Sequence, residues 1–292
     1  MSHDVSLSRR GLIALAGGAA AAGVASLALP TPARAEESAP AGGPVPVRVM
    51  TYNIHAGANA QHVFDLQPQI EVIRESGADI VGMQEVDHHW SARSDWISEV
   101  EVMAEALGMF AFFGPILDND PINPGEPRRQ FGCATLSKYP FILTQDHEIL
   151  RYADGRYAFG FPQVRVNVDG AHVDVFNSHL DYRGDPFIRT GQNADMIRIA
   201  SQFTGQQILL GDLNARPAQP EMQPLWEHWD DAWLAEGEGP GYTFNAITPD
   251  RRIDYILLKN GPQVTNIEVL DTQASDHRPL VADILLRRGR NG

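Results

Sequence analysis

Short β-branched and aliphatic runs alternate along this chain with segments whose apolar residues fall at helical spacing. Residues 47–54 form the first strand-like run. Leu66, Ile70 and Ile73 follow at helical spacing, with Gly77 placed to end that helix. Residues 79–86 form a second strand. Val100, Met103, Ala104 and Leu107 then mark another helix, closed by Gly108. Further strand-like runs cover 131–137, 163–168, 173–179, 207–213, 253–258, 264–270 and 280–286, while 188–203 and 224–234 read as helices. Many strands with interspersed helices predict a sheet-rich α/β or α+β domain.

The polar positions are distributed less evenly. Six strand-like runs end in, or are entered through, Asn, Asp, Glu or His, at residues 49–53, 81–85, 175–179, 209–214, 254–258 and 276–280. A lone Asn or Asp at a strand end often serves a turn. Six such ends point instead to one site held rigidly by the core. Glu and Asp oxygens suit Mg²⁺, with Mn²⁺ or Ca²⁺ as alternatives, better than zinc. A phosphate ester needs charge neutralised, a water aimed and a leaving oxygen stabilised. Carboxylates, a metal and two histidines supply all three. A serine esterase fits less well, because no G-x-S-x-G elbow is present, and no phosphate-cradling glycine loop is found.

The order of motifs resembles the endonuclease/exonuclease/phosphatase superfamily. The matching segments are Thr51-Tyr52-Asn53-Ile54, Gln84-Glu85-Val86, the stretch 132–137, Asn177-Ser178-His179-Leu180, Gly211-Asp212-Leu213-Asn214, Arg252-Ile253-Asp254-Tyr255-Ile256 and the stretch 275–280 around Asp276-His277. The resemblance implies a four-layer αββα sandwich of two mixed β-sheets with helices outside. It also implies that Glu85 is the main metal carboxylate, with Asn53 beside it and Asp276 completing the shell. Asp212 and Asn214 would flank the phosphate, Asp212 orienting or deprotonating the attacking water. His277 would contact the phosphate or act as base, with Asp254 fixing its tautomer. His179 would stabilise the transition state or assist the leaving group. Around this set, Trp90 and Arg93 after Glu85, and Arg128 and Arg129 before the strand at 131, are candidate substrate contacts.

The N-terminus adds a processing step. Ser8-Arg9-Arg10-Gly11, a Gly/Ala/Leu-rich stretch to Leu29 and the small-x-small Ala33-Arg34-Ala35 follow the order of a secretory leader, and the paired arginines resemble a twin-arginine signal. The alternative, a membrane anchor, fits less well with a stretch so short and so rich in Gly and Ala. Residues 1–35 are therefore read as a leader, 36–46 as a flexible linker, 47–287 as one domain and 288–292 as a tail. The expected location is outside the cytoplasm. The lone cysteine, Cys133, rules out an intramolecular disulfide.

Charge separates the substrate classes. The net charge is −14, and loss of residues 1–35 makes the remainder two charges more acidic. So acidic a body argues against a broad phosphate-tracking groove. The favoured partner is thus a phospholipid or small phosphoester, with nucleic acid as the alternative. A catalytically dead binding module on the same fold would require a lost position, and all eight are present.

Overall fold

The computed structural model describes residues 42–150 and 160–289. The leader, residues 36–41 of the linker and the last three residues lie outside them. In chain order the elements are β1 (Val45–Asn53), α1 (Leu66–Ser76), β2 (Ile80–His88), α2 (Glu99–Leu107), β3 (Phe110–Asn119), β4 (Arg129–Ser137), β5 (Phe141–Glu148), β6 (Gly160–Val168), β7 (Ala171–His179), α3 (Phe187–Ala200), β8 (Gln206–Asp212), α4 (Gln223–Trp226), β9 (Asp230–Asp231), α5 (Ala232–Glu236), β10 (Asp254–Lys259), β11 (Gln263–Val269) and β12 (Leu280–Leu286). They build two six-stranded sheets, ordered β11-β12-β1-β2-β4-β3 and β5-β6-β7-β8-β10-β9. Each has one central parallel pair, β1 with β2 and β7 with β8. A parallel pair needs a crossover, and α1 and α3 provide it. The Asp65 side chain accepts from the Gln67 N–H to start α1, and Gly77 ends it at φ 70°. Ser98 and Gly108 do the same for α2.

Alternation along the strands decides the layering. Val45, Val47 and Val49 of β1 face the second sheet, and with Val173, Val175, Ile208, Leu210 and Ile256 they form the core between the sheets. Met50 and Tyr52 point the other way, onto Leu66, Ile70 and Ile73 of α1 and Val100 and Met103 of α2. On the far side Leu209, Tyr255 and Leu257 meet Met196 and Ile199 of α3 and Leu225 of α4. The order helices, sheet, sheet, helices is the four-layer sandwich expected from the motifs.

The core between the sheets is mainly apolar, and a buried polar bolt crosses it near its polar end. Asn177 on β7 donates to the carbonyls of Met83 (3.0 Å) and Ala134 (2.9 Å) in the opposite sheet. Its own Oδ1 accepts from Gln84 Nε2 at 2.7 Å. Gly82 lets the sheets approach here: a Cβ at this position would lie 2.8 Å from Leu210 Cβ.

Several elements differ from the sequence expectation. Residues 224–234 are not one helix. Asp230–Asp231 pair with Leu257 and Leu258 of β10 as an edge strand and split the segment into α4 and α5. Strands β3 and β5 are present where no strand was expected. Both lie at sheet edges and expose much of their length, so neither shows a clean alternation. β1 begins at Val45, two residues inside the expected linker.

One buried carboxyl makes stability depend on pH. Glu99 is fully buried, and its Oε2 accepts from the Asp87 N–H at 2.8 Å. Burial above all, then the neighbouring Asp87 charge, push its carboxyl up to about 9 from an ordinary 4.5. Between those values the folded chain keeps a proton that the unfolded chain releases. Stability therefore falls as pH rises through this window, with a slope of up to about 1.4 kcal/mol per unit. Glu99→Gln, which keeps the acceptor, should flatten the fall and raise the melting temperature at pH 9. Parallel profiles of wild type and variant from pH 5 to 9 would argue against a protonated Glu99.

Candidate active site

The inward-facing stripe of each central strand turns polar at one end of the sandwich. On β1 the series Val45, Val47, Val49 continues as Thr51 and Asn53. On β7 it ends in Asn177 and His179, on β8 in Asp212, and β10 enters through Asp254. Asp212 is register partner to both His179 and Asp254. The core packing that fixes the valines therefore also fixes these side chains.

Glu85 reaches the same place by a local irregularity. Met83 pairs with Ala134 and Val86 with Gly132, so Gln84 and Glu85 together face a single residue of β4. This is a β-bulge, and Glu85 sits in it at φ 55°, a left-handed conformation that a non-glycine residue adopts only where its surroundings enforce it.

Asp212 is the hub. Its Oδ2 accepts from Asn53 Nδ2 at 3.0 Å and lies 3.6 Å from His179 Nε2 and 3.7 Å from His277 Nε2. Its Oδ1 accepts from the Asn214 N–H at 2.9 Å. Asn53 Nδ2 also donates to Glu85 Oε1 at 3.1 Å, and His179 Nε2 is 3.9 Å from that oxygen. The His55 N–H donates to Asn53 Oδ1 at 3.0 Å, which orients the amide with its nitrogen between the two carboxylates. His277 Nδ1 is 2.9 Å from Asp254 Oδ2, which leaves Nε2 to face Asp212. Asn214, at φ 49°, donates from Nδ2 to the Leu180 carbonyl. Asp276 lies at the margin, with Oδ1 3.5 Å from His55 Nδ1.

Charge here is set by burial and by close neighbours. Burial, reinforced by Asp254, pushes the Asp212 carboxyl up to about 6, with His277 and His179 opposing. For His277 burial alone would favour the neutral ring. Asp254 and Asp212 outweigh it and raise the imidazolium to about 10. Glu85 would also rise on burial, but His179 and the Asn53 hydrogen bond hold it below the usual carboxylate range.

The donor set fits a hard divalent cation. Glu85 and Asp212 share one amide as their common donor, and both are oxygen ligands on rigid strand ends. Asp212, Asp254 and His277 also bring one potential ligand atom each within 4.8 Å of one another. There Nδ1 of His277 is engaged by Asp254, which fixes the ring and leaves Nε2 as the nitrogen free for acid–base work or for ligation.

The expected outer contacts are spread differently. The Trp90 ring packs on Phe131 at 6.1 Å, and Phe131 is 6.4 Å from His179, so this pair walls the site. Arg93 makes a two-pronged pair with buried Asp87, at 2.8 and 2.7 Å, and holds its own loop. Arg128 is exposed and paired with Asp118 and Asp120, both at 2.7 Å. Arg129 donates to the Asp120 carbonyl.

Two contributors carried no individual signal in the sequence. Ser275 Oγ donates to the Asn53 carbonyl at 2.7 Å and accepts from the His277 N–H, tying β1 to the histidine loop. Ser275 was legible as part of the Ser-Asp-His motif, but its role was not. Phe244 packs on the His277 ring at 4.7 Å between centroids, and nothing in its sequence context marks it.

Comparisons with known proteins agree with this geometry. An endonuclease/exonuclease/phosphatase protein from Beutenbergia cavernae superimposes with a TM-score of 0.72 at 26% identity, covering 83% of this chain and 72% of that one. The mannosyl-6-phosphatase Bt3783 of Bacteroides thetaiotaomicron gives 0.62 at 18% identity, over 82% and 99% of the two chains, and likewise shares the fold. The Schizosaccharomyces pombe protein cwh43 is 23% identical over 222 residues, which are 75% of this chain. The match spans only 20% of cwh43. The profile of the Endonuclease/Exonuclease/phosphatase family matches residues 50–277, a span that runs from the strand leading to Asn53 through His277, and the chain belongs to that family.

Proposed function

We propose that this protein is an exported, divalent-metal-dependent phosphoesterase that hydrolyses lipid-type or small-molecule phosphoesters. The observation that carries the reading is the convergence of Asn53, Glu85, His179 and His277 on the buried carboxylate of Asp212. Glu85, with Asp212 beside it, would hold the cation, Mg²⁺ by donor type. Bound there, it would neutralise phosphate charge and acidify water. Asp212 orients the attacking water and accepts its proton. His277, fixed by Asp254, offers its Nε2 hydrogen to a phosphoryl oxygen, and His179 donates from the other side. The water oxygen bonds to phosphorus as the ester P–O bond breaks, and the departing oxygen takes up a proton from His179 Nε2 and leaves as an alcohol.

The arginines favour a lipid or small ester over nucleic acid. Arg93, Arg128, Arg183, Arg216 and Arg278 are each paired with a neighbouring aspartate. Pairs neutralised in place do not form a track for a polyanion. Export rests on the Arg9-Arg10 leader.

The test is a metal-supplemented panel of bis-p-nitrophenyl phosphate, sphingomyelin, phosphatidylinositol, inositol phosphates and plasmid DNA, assayed on the extracytoplasmic fraction. The lipid or small esters should turn over and the plasmid should not. Glu85→Gln should weaken the metal dependence by at least about tenfold while the melting temperature stays close to wild type. Undiminished turnover in excess chelator would refute the metal site, and preferential cutting of plasmid would refute the substrate class.

A further inference from the structure

A cleft of about 270 Å³ opens directly beside His179. Ile116 and Leu117 of β3, Phe131 of β4, Leu180 after β7 and Ile188 of α3 supply its apolar walls. The cleft is smaller than the roughly 300–1,000 Å³ that holds a whole drug-sized ligand, so it suits part of a substrate whose phosphate lies at Asp212. Several of its polar groups are already bonded to one another. Asp181 Oδ1 accepts from the Arg183 N–H, and its Oδ2 pairs with the Arg183 guanidinium. Gln192 Oε1 accepts from the Asp181 N–H at 2.9 Å. Phe131 is covered by Trp90 and by the Arg93 guanidinium, 5.4 Å from its centroid. A sugar or nucleobase needs convergent donors and acceptors, and here the Asp181 carboxylate and the Gln192 carbonyl oxygen are already engaged. Apolar surface continues outward from it. Tyr182, on the cleft wall, is 75% exposed, and Phe187, the first residue of α3, is 68% exposed.

We propose that this cleft binds the hydrocarbon portion of an amphiphilic phosphoester, with the ester phosphate at Asp212 and the chain running past His179 along Leu117 and Ile188. The inference rests on the phosphoesterase reading of the neighbouring carboxylates, and it narrows the substrate to esters of an uncharged, chain-bearing alcohol.

The experiment uses p-nitrophenyl methyl, butyl and octyl phosphodiesters, each below its micelle concentration, with calorimetric binding of butyl and octyl phosphate measured in parallel. In the wild type, kcat/KM should rise about fourfold for each methylene that enters the cleft, then level off. Octyl phosphate should bind more tightly than butyl phosphate. Leu117→Asn, with its fold checked by melting temperature, should lower the slope on chain length and shrink the difference between the two phosphates. A wild-type kcat/KM independent of chain length, or an equal loss on all three esters in the variant, would overturn the cleft assignment and leave the hydrolytic reading intact. If no ester is hydrolysed with any divalent metal but the chain-length dependence of phosphate binding persists, the hydrolytic reading falls and the cleft stands. If Leu117→Asn does not fold, Leu117→Ala and the phosphate pair give the same comparison.

Discussion

Alanine at His277 should lower turnover of a phosphodiester by roughly 10²- to 10⁴-fold, the range general for a positioned acid–base group. The ring is almost fully buried, and it bridges Asp254 at Nδ1 and Asp212 beyond Nε2. Its removal takes away a donor to the phosphate and leaves two buried carboxylates facing each other. The Asp212 proton should then be held more firmly, because the cationic neighbour that opposed it is gone. A water-activating carboxylate that keeps its own proton cannot accept another, so the two effects act in the same direction. Asp254→Asn should cost less, since the ring remains and loses only its anchor. Turnover, melting temperature and metal affinity for both variants decide the matter. Near-normal turnover in folded His277→Ala would remove this residue from the chemistry.

Glu221→Ala should destabilise the fold by about 3–5 kcal/mol, the usual cost of stranding one member of a buried ion pair. Arg189 Nη2 meets Glu221 Oε1 at 2.8 Å, Nε meets the same oxygen at 3.1 Å, and both side chains are 3% exposed. At roughly 2–4 °C per kcal/mol for a domain of this size, the melting temperature should drop by about 6–20 °C. The damage should also reach the site. Arg189 Nη1 donates to the Asp181 and Arg183 carbonyls, so the same guanidinium holds the segment that follows His179. KM should therefore rise well below the melting transition. Glu221→Gln keeps an acceptor and should lose less. A melting temperature within two degrees of wild type in Glu221→Ala would show that the pair is not what secures α3.

The site was more legible in the sequence than the sheets that carry it. Asn53, His179 and Asp212 end strands, His277 precedes one and Glu85 follows the apolar start of β2; the apolar runs are long enough to recognise, and polar residues there break the run visibly. Strand β3, Phe110–Asn119, was not legible. It mixes Gly and Pro with half-exposed aromatics, and an edge strand needs no regular inner face. The segment 224–234 misled for the opposite reason. Its apolar residues match a helix, but Asp230 and Asp231 are drawn into a pairing with β10, a contact made by tertiary packing. The pairing of Arg93 and Arg128 with aspartates was hidden on similar grounds. Their aspartate partners lie within about ten residues, but only the fold shows that the pairs close. The bulge that aims Glu85 depends on pairing with β4 and leaves no mark in the local sequence.

The bolt made by Asn177 and Gln84 has a consequence for how finely the two sheets are aligned. Aliphatic faces packed on one another lose little when one slides slightly past the other, because burial is non-directional. Hydrogen bonds are directional, and buried ones are costly to leave unmade. Asn177 meets the Met83 and Ala134 carbonyls and the Gln84 amide in only one offset of the sheets. Glu85 follows Gln84 directly, and His179 lies two residues beyond Asn177 on the same face. The bolt thus works as a locating pin beside the catalytic groups: the oily halves of the sandwich supply the adhesion, and a few amide contacts set the alignment in which Glu85 and Asp212 come to share one asparagine.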